Sequence, residues 1–261
     1  MFRMGFMRQD REKDTVSPMI SVVIPAYNEE NRIRLSLLEA CSFLDHTPLD
    51  YEMIVVDDGS SDRTSEIVGD LASDTPTLKL MRYEKNRGKG YALRTGVLAT
   101  KGDPVLVMDA DLSTPMEEMF KLMPCLAEGR SHVAIGSRAL ALSDIIRKQP
   151  WWRRGMGKIF NQIVRVLVID GISDTQCGFK LFAGNVAREL FGRATVDRFA
   201  YDVEILALAA RKGYRIAEVP VRWINSPESK VNPVKDSLRM LADILRIRIR
   251  VGKARAKEVC G

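Results

Sequence analysis

The chain has 261 residues, 46% of them hydrophobic and 28% charged, with a formal net charge of +6. That length allows one large α/β domain or two smaller ones, and a sizeable core is available to either. No run approaches the ~18 uninterrupted apolar residues that a membrane span requires, so any membrane contact is expected to be peripheral; the best stretch, 163–169, is short and contains Arg165.

In chain order, MFRMGFMRQDREKD lacks the apolar centre of a secretory signal, and residues 1–18 read as a charged leader. SVVIPA (21–26) is a buried-strand run, and helical spacing follows from Asn31 to Leu44. YEMIVVD (51–57) is a second strand, after which DDGSSDRT turns into a helix over Ser61 to Leu71. LKLMRY (78–83) and PVLVMDAD (104–111) are further strands, with a helix from Gly90 to Ala99 between them. A helix from Pro115 to Leu126 leads to the strand HVAIGSR (132–138). Strands alternating with crossover helices predict a mostly parallel, doubly wound α/β sheet, whose ligands bind at the carboxyl ends of the strands. Asp57, Asp58, Asp109 and Asp111 all fall at such ends.

The second half opens with an amphipathic helix over Trp151 to Ile169, with Ile159, Phe160, Ile163, Val166 and Leu167 on one side. A loop, DTQCGFKLF (174–182), precedes helices near Asn185 to Phe191 and Asp202 to Lys212, and a strand, YRIAEVPVRW (214–223). A basic helix over Val234 to Val251 closes the chain. With no repeat or low-complexity linker, residues 19–232 read as one continuous domain and 233–261 as a basic amphipathic extension. Between Lys235 and Glu258 eight basic residues face three acidic ones, so most of the positive excess lies in this tail and points to a polyanionic surface. Leu238, Leu241, Leu245 and Ile249 recur at helical spacing there, and Trp151 and Trp152 followed by Arg153 and Arg154 form a second aromatic and basic edge. Such faces suit an anionic headgroup boundary; a core-facing helix with a solvated back is the competing explanation. No nucleic-acid module accompanies the basic tail, so nucleic acid is not expected as a partner. Cys41, Cys125, Cys177 and Cys260 are scattered without a CxxC pair, which suits a reducing, cytoplasmic setting, and His46 and His132 are too isolated to suggest zinc.

Three segments carry chemistry. Asp109-Ala110-Asp111 follows an apolar strand, and two carboxylates fixed at a strand end suit Mg²⁺ or Mn²⁺ bridging phosphates; a solvated pair of loop acids is the bland alternative. Asp57 and Asp58 can accept hydrogen bonds from a base or ribose, while Ser60 or Ser61 can cap the next helix. Asn86-Arg87-Gly88-Lys89-Gly90 is a basic, glycine-rich loop suited to a diphosphate, although it is not a Walker A sequence.

In order, PAYNEE, VVDDGSSD, KNRGKG, MDADLS and GSR resemble the family 2 nucleotide-sugar transferases of the GT-A fold. The segments DTQCGFKLF, RFAYDVEILALAARKGYRIAEVPVRW and ESKVNPVKDSLRMLADILRIRIR narrow the resemblance to dolichyl-phosphate β-glucosyltransferases and their polyprenyl-phosphate relatives, over about residues 20–250. That resemblance implies a Rossmann-like GT-A domain with membrane-facing C-terminal helices, and a metal-dependent, inverting transfer of glucose from UDP-glucose to a dolichyl or polyprenyl phosphate. It implies Pro25, Tyr27 and Glu29 around the base, Asp57 near base or ribose, Lys89 near the diphosphate, and Asp109 and Asp111 on ribose and metal. Arg138 and Arg198 would face phosphates, Arg198 that of the lipid, and Asp174 is the matched acid near the acceptor and the candidate base. Ser113 stands where several lipid-phosphate mannosyltransferases carry Gln after the DxD, and the eukaryotic glucosyl enzymes begin with a membrane span not seen in this sequence, which shifts the expected burden to amphipathic surfaces. The rival readings are a GDP-mannose-dependent enzyme, a transferase with a soluble acceptor, a non-catalytic nucleotide-sugar-binding protein and a nucleotidyltransferase. The intact DxD argues against the third, and PAYNEE is not the glycine-rich signature of the fourth.

Overall fold

The computed structural model describes residues 19–147, 151–225 and 233–258; the leader and the side chains of Trp151–Arg154 and Leu238 lie outside what is described. The first half alternates strand and helix as its apolar runs predict. It comprises β1 (Ile20–Ala26), α1 (Ile33–Asp45), β2 (Tyr51–Asp57), α2 (Thr64–Asp74), β3 (Leu78–Arg82), α3 (Lys89–Ala99), β4 (Val105–Val107), α4 (Met119–Leu126) and β5 (Val133–Ser137). The second half contributes β6 (Asp144–Arg147), α5 (Trp151–Leu167), β7 (Ile169–Asp170), β8 (Lys180–Phe182), α6 (Gly184–Arg193) and α7 (Tyr201–Arg211). It ends with β9 (Arg215–Pro220), β10 (Arg222–Ile224), α8 (Pro233–Val251), β11 (Ala254–Arg255) and β12 (Lys257–Glu258).

The main sheet has eight strands in the order β12-β9-β5-β8-β4-β1-β2-β3, all pairings parallel except the two made by β8. Its central strands are covered on both faces, which is why β1 and β2 read as continuous apolar runs rather than alternations. Successive residues feed opposite layers: Val23 and Val107 pack with α3, α6, α7 and α8, and Val22, Ile24 and Leu106 with α1, α2 and α4. The fold is thus the doubly wound, mostly parallel sheet that the sequence predicts.

Two local expectations are corrected. The end of the segment read as a loop at 174–182 is strand β8, which runs antiparallel between β4 and β5. Its first residue, Lys180, is buried and ion-paired to Asp202, and a lysine at that place hides a core strand from a hydropathy reading. The strand read as continuous over 214–223 breaks after Pro220, which has no N–H to extend a ladder. Beyond the break β10 leaves the main sheet and pairs with β6.

The C-terminal segment is tied to the rest of the chain. Met240, Ile244, Ile247 and Val251 of α8 enter the core, β11 pairs with β7, and β12 borders β9. The stripe seen in the sequence faces the other way, with Leu241 38%, Leu245 49% and Ile249 86% exposed. The apolar side read in α5 also divides: Phe160, Ile163 and Leu167 pack on the core while Ile159 and Val166 are exposed. Among the described residues no helix is long and apolar enough to cross a membrane.

Candidate active site

In the main sheet β1 has β2 on one side and β4 on the other. The chain therefore changes direction of winding between β1 and β4, and the crevice at their carboxyl ends is where such sheets bind ligands. Pro25 ends β1, Asp57 ends β2, Asp109 and Asp111 follow β4, and Arg138 follows β5. Two non-glycine residues with left-handed backbone lie in this rim: Asn28 (φ 55°) and Leu112 (φ 48°). A bulky residue with positive φ is uncommon and marks a turn fixed by its surroundings. At Leu112 the turn lets Asp111 Oδ1 accept a bond from Ser113 N at 3.0 Å.

Both DxD carboxylates already have a cation beside them. Lys89 Nζ lies 2.5 Å from Asp109 Oδ1, and Arg32 Nη1 lies 3.7 Å from Asp111 Oδ2. Burial opposes ionisation of Asp109, but the charges of Lys89, Lys180 and Arg138 outweigh it and hold the carboxyl below its ordinary range. Lys89 is the first residue of α3, and its direction is set by Gly88, which adopts φ 111°. On the other side Asp109 is hemmed by Gly178, where an added Cβ would come within 2.2 Å of Oδ2. Arg32 also forks onto Glu29, with Nη2 to Oε1 at 2.8 Å and Nε to Oε2, joining the PAYNEE turn to the DxD. Two hard carboxylates at a strand end fit Mg²⁺ or Mn²⁺ held jointly with a nucleotide's phosphates. Among the described residues no three His, Cys, Asp or Glu side chains come together as a metal-binding group of their own.

The two acids after β2 have separate parts. Asp57 is fully buried; its Oδ1 accepts from Ser60 N at 2.9 Å, while Oδ2 has no hydrogen-bond partner and only Arg82 Nε at 3.5 Å. Such a buried, unfilled acceptor is suited to a ligand donor. Asp58 is instead saturated, accepting from Tyr83 Oη, Asn86 Nδ2, Arg87 N and Gly88 N, and it fixes the basic loop against β2. Ser60 and Ser61 do not cap α2, which begins at Thr64 with its N–H on Asp62 Oδ1. Ser60 Oγ accepts from Asn28 N and Ser61 N donates to Asn28 Oδ1, so these serines bind the β1 turn that carries the exposed Tyr27.

Asp174 is 2% exposed and locked onto Arg138, which donates from Nε (2.7 Å), Nη2 (2.9 Å) and its backbone N (3.0 Å). Burial alone would raise its pKa, but the Arg138 charge and bonds bring it down to about 2. A carboxylate held there is a poor proton acceptor at neutral pH. The loop bearing it is clamped from below, because Ser173 N and Asp174 N both donate to the Glu218 carboxylate of β9. Arg198 is exposed, its Cγ beside Gly88, and it has no ion-pair partner among the described residues.

The structure thus gathers Pro25, Glu29, Asp57, Lys89, Asp109, Asp111, Arg138 and Asp174 around one crevice, with Arg198 behind the Gly88 turn. Sequence reading missed Arg32, Lys180, Asp202 and Glu218 as partners of those residues. Spacing gives no signal for the pairs Arg32–Asp111, Lys180–Asp202 and Glu218 with Asp174, since each joins separate elements of the chain; only Arg32 with Glu29 is a local, i,i+3 pair.

A family model described as Glycosyl transferase family 2 matches residues 21–191. The chain is 37% identical over 242 residues to a dolichyl-phosphate beta-glucosyltransferase of Dictyostelium discoideum, spanning 88% of this chain and 74% of that protein. It is 36% identical over 249 residues to the dolichyl-phosphate beta-glucosyltransferase of Homo sapiens, spanning 91% and 77%. Among solved structures, glucosyl-3-phosphoglycerate synthase from Mycobacterium tuberculosis in complex with Mn²⁺, UDP-Glc and phosphoglyceric acid has a TM-score of 0.68 at 20% identity, covering 90% of this chain and 80% of that one. A mannosyltransferase from Pyrobaculum calidifontis in complex with GDP-Man and Mn²⁺ has a TM-score of 0.62 at 21% identity, covering 92% and 66%. These structural likenesses establish the GT-A fold, and the sequence matches establish kinship: the chain belongs to glycosyl transferase family 2, alongside the dolichyl-phosphate beta-glucosyltransferases.

Proposed function

We propose that the protein transfers glucose from UDP-glucose to the phosphate of a dolichyl or other polyprenyl chain, with inversion, at a membrane surface it meets peripherally. The observation that carries this reading is the set of acids and cations converging at the β1/β4 crevice, in a chain whose relatives act on dolichyl phosphate. Pro25, Tyr27 and Glu29 line the base, and the unfilled Asp57 Oδ2 accepts an N–H from it. Lys89 leaves Asp109 for the diphosphate. Asp109 and Asp111 hold Mg²⁺ or Mn²⁺, which when bound offsets the charge of the departing diphosphate.

The acceptor needs little activation, because a phosphate monoester with a second pKa of ~6 is already a dianion near neutrality. One of its oxygens forms the bond to the anomeric carbon as the bond from that carbon to the diphosphate oxygen breaks, releasing UDP. Asp174 holds Arg138 toward the reacting phosphates rather than taking a proton, and Arg198 meets the lipid phosphate. The exposed Leu241, Leu245 and Ile249 of α8 and Ile159 and Val166 of α5, two helices in contact with each other, supply the apolar surface for the bilayer edge. Cys41, Cys125 and Cys177 are free thiols, which suits the cytoplasmic face.

The test is purified protein with Mg²⁺ or Mn²⁺, a polyprenyl phosphate in detergent, and a panel of UDP- and GDP-sugars, with the glycolipid detected by mass spectrometry. A hexosyl-phosphoryl-lipid from UDP-glucose, absent with Asp111→Ala, is the expected result. A product from GDP-mannose alone transfers the reading to a mannosyl donor. Nucleotide-sugar binding with no lipid product from any donor overturns it in favour of a soluble acceptor or a binding role.

A further inference from the structure

The segment 194–198 lies between the start of α3 and the end of α8 and is bonded to both. On the α3 side, Tyr91 N donates to Asp197 O at 2.9 Å, and Arg94 donates to Ala194 O at 3.0 Å and to Asp197 Oδ1 at 2.7 Å. The contact is close enough that a Cβ on Gly88 would come within 2.5 Å of Asp197 O. Any shift of the segment is therefore felt at the residue preceding Lys89. On the other side stands Glu204 of α7, its side chain 1% exposed. Its Oε2 accepts from Thr195 N at 2.9 Å and Val196 N at 2.8 Å, and its Oε1 from Thr195 Oγ1 at 2.9 Å and Arg250 Nη1 at 2.7 Å. Arg250 comes from the last turn of α8, and its Nη2 also donates to Arg193 O at 2.7 Å.

A carboxylate so buried is stable as an anion only with its bonds and a cation in place. The same group that fixes the backbone of 195 and 196 thus depends on α8 for its counter-charge. We propose that Glu204 and Arg250 are positioning residues for the transfer: Glu204 holds the segment that seats Lys89 and presents Arg198, and Arg250 makes that hold conditional on the docking of α8. Neither residue touches the reacting atoms. The inference rests on the donor reading above, in which Lys89 serves the diphosphate, and it gives α8 a part in the site in addition to its outward apolar stripe.

The experiment compares Arg250→Ala and Arg250→Lys with the wild type by amide hydrogen exchange, UDP-glucose binding and glycolipid synthesis. In Arg250→Ala the Thr195 and Val196 amides are expected to exchange at least tenfold faster. The Kd for UDP-glucose and the KM for polyprenyl phosphate are each expected to rise about five- to tenfold, with exchange in β1 and β2 unchanged. Arg250→Lys, which keeps the cation but not the fork, recovers a large part of each effect. Unchanged exchange at Thr195 and Val196, or faster exchange with wild-type binding and kinetics, overturns the proposal. Faster exchange spread through the sheet also overturns it, because that is a general loss of stability. If the wild type binds UDP-glucose and makes no glycolipid, the acceptor reading fails separately, and the positioning role stands or falls on the exchange and donor-binding results.

Discussion

Replacing Asp174 by asparagine preserves the shape of the side chain and removes the charge that faces Arg138. In the folded protein the Asp174 carboxyl titrates at about 2, against roughly 3.9 for an unstructured aspartate. A depressed folded pKa means that the unfolded chain binds the proton more readily, so stability from this group is fully present above about pH 4 and disappears as pH falls through about 2. Two pKa units correspond to roughly 2–3 kcal/mol, with about half of it gone by about pH 3. The variant also leaves Arg138 half-buried without its partner, and breaking a buried pair from one side costs about 3–5 kcal/mol. Urea unfolding at pH 7 should therefore show Asp174→Asn less stable by roughly 2–5 kcal/mol, with the gap narrowing as pH falls below about 4. The activity profile tests the other half of the reasoning. If Asp174 orients Arg138, kcat falls but the acid limb stays where the acceptor phosphate places it, near ~6 in both proteins. A variant as stable as the wild type at pH 7 refutes the electrostatic account, and an acid limb that vanishes or moves refutes the positioning role.

Three further outcomes are expected. Gly178→Ala places a Cβ within 2.2 Å of Asp109 Oδ2; stability should drop by about 1–3 kcal/mol and metal-dependent turnover by at least about tenfold, whereas wild-type turnover would show that the Asp109 rotamer is immaterial. Asp58→Ala removes the carboxylate that accepts from Tyr83, Asn86, Arg87 and Gly88 and so frees the basic loop; tryptic cleavage after Arg87 should accelerate and UDP-glucose binding weaken about tenfold, and an unchanged cleavage rate would count against Asp58 as the clamp. Lys89→Met removes the resident cation of Asp109; electron paramagnetic resonance should show Mn²⁺ binding the nucleotide-free protein more tightly while UDP-glucose binds less tightly, and equal Mn²⁺ affinity in both proteins argues that Lys89 does not compete for that carboxylate.

The parts of the fold legible in the sequence are those set by local repetition. β1, β2 and β5 are dense apolar runs, and α1, α3 and α7 follow within a few residues of where their spacing puts them. The acids at the ends of β2 and β4 were legible for the same reason, because a strand that stops at a carboxylate announces a rim. β8 was not: three residues cannot display a period, and its buried Lys180 carries the wrong polarity for a core strand until Asp202 is seen opposite. Pro220 was read through as part of one strand over 214–223, and where the chain goes after it depends on β6, more than 70 residues earlier.

The same distinction decides which parts of the candidate site could be read. Asp109, Asp111, Lys89 and Asp57 stand in short motifs whose residue types suit phosphate, metal and base, so their chemistry shows before any contact is known. Glu204, Glu218 and Asp58 belong to no pattern of that kind, yet each carboxylate accepts two backbone N–H groups. Acids with that arrangement, Asp58 and Glu204 buried and Glu218 partly so, fix loops rather than bind ligands, because their lone pairs are already filled. Asp57 is the contrast: equally buried, adjacent in sequence to one of them, and with one oxygen unfilled. Two neighbouring aspartates at the same strand end are therefore separated by bonding alone, Asp58 holding the loop and Asp57 left with one acceptor oxygen open. Only the tertiary structure makes that assignment, since in the sequence the pair reads simply as Asp-Asp.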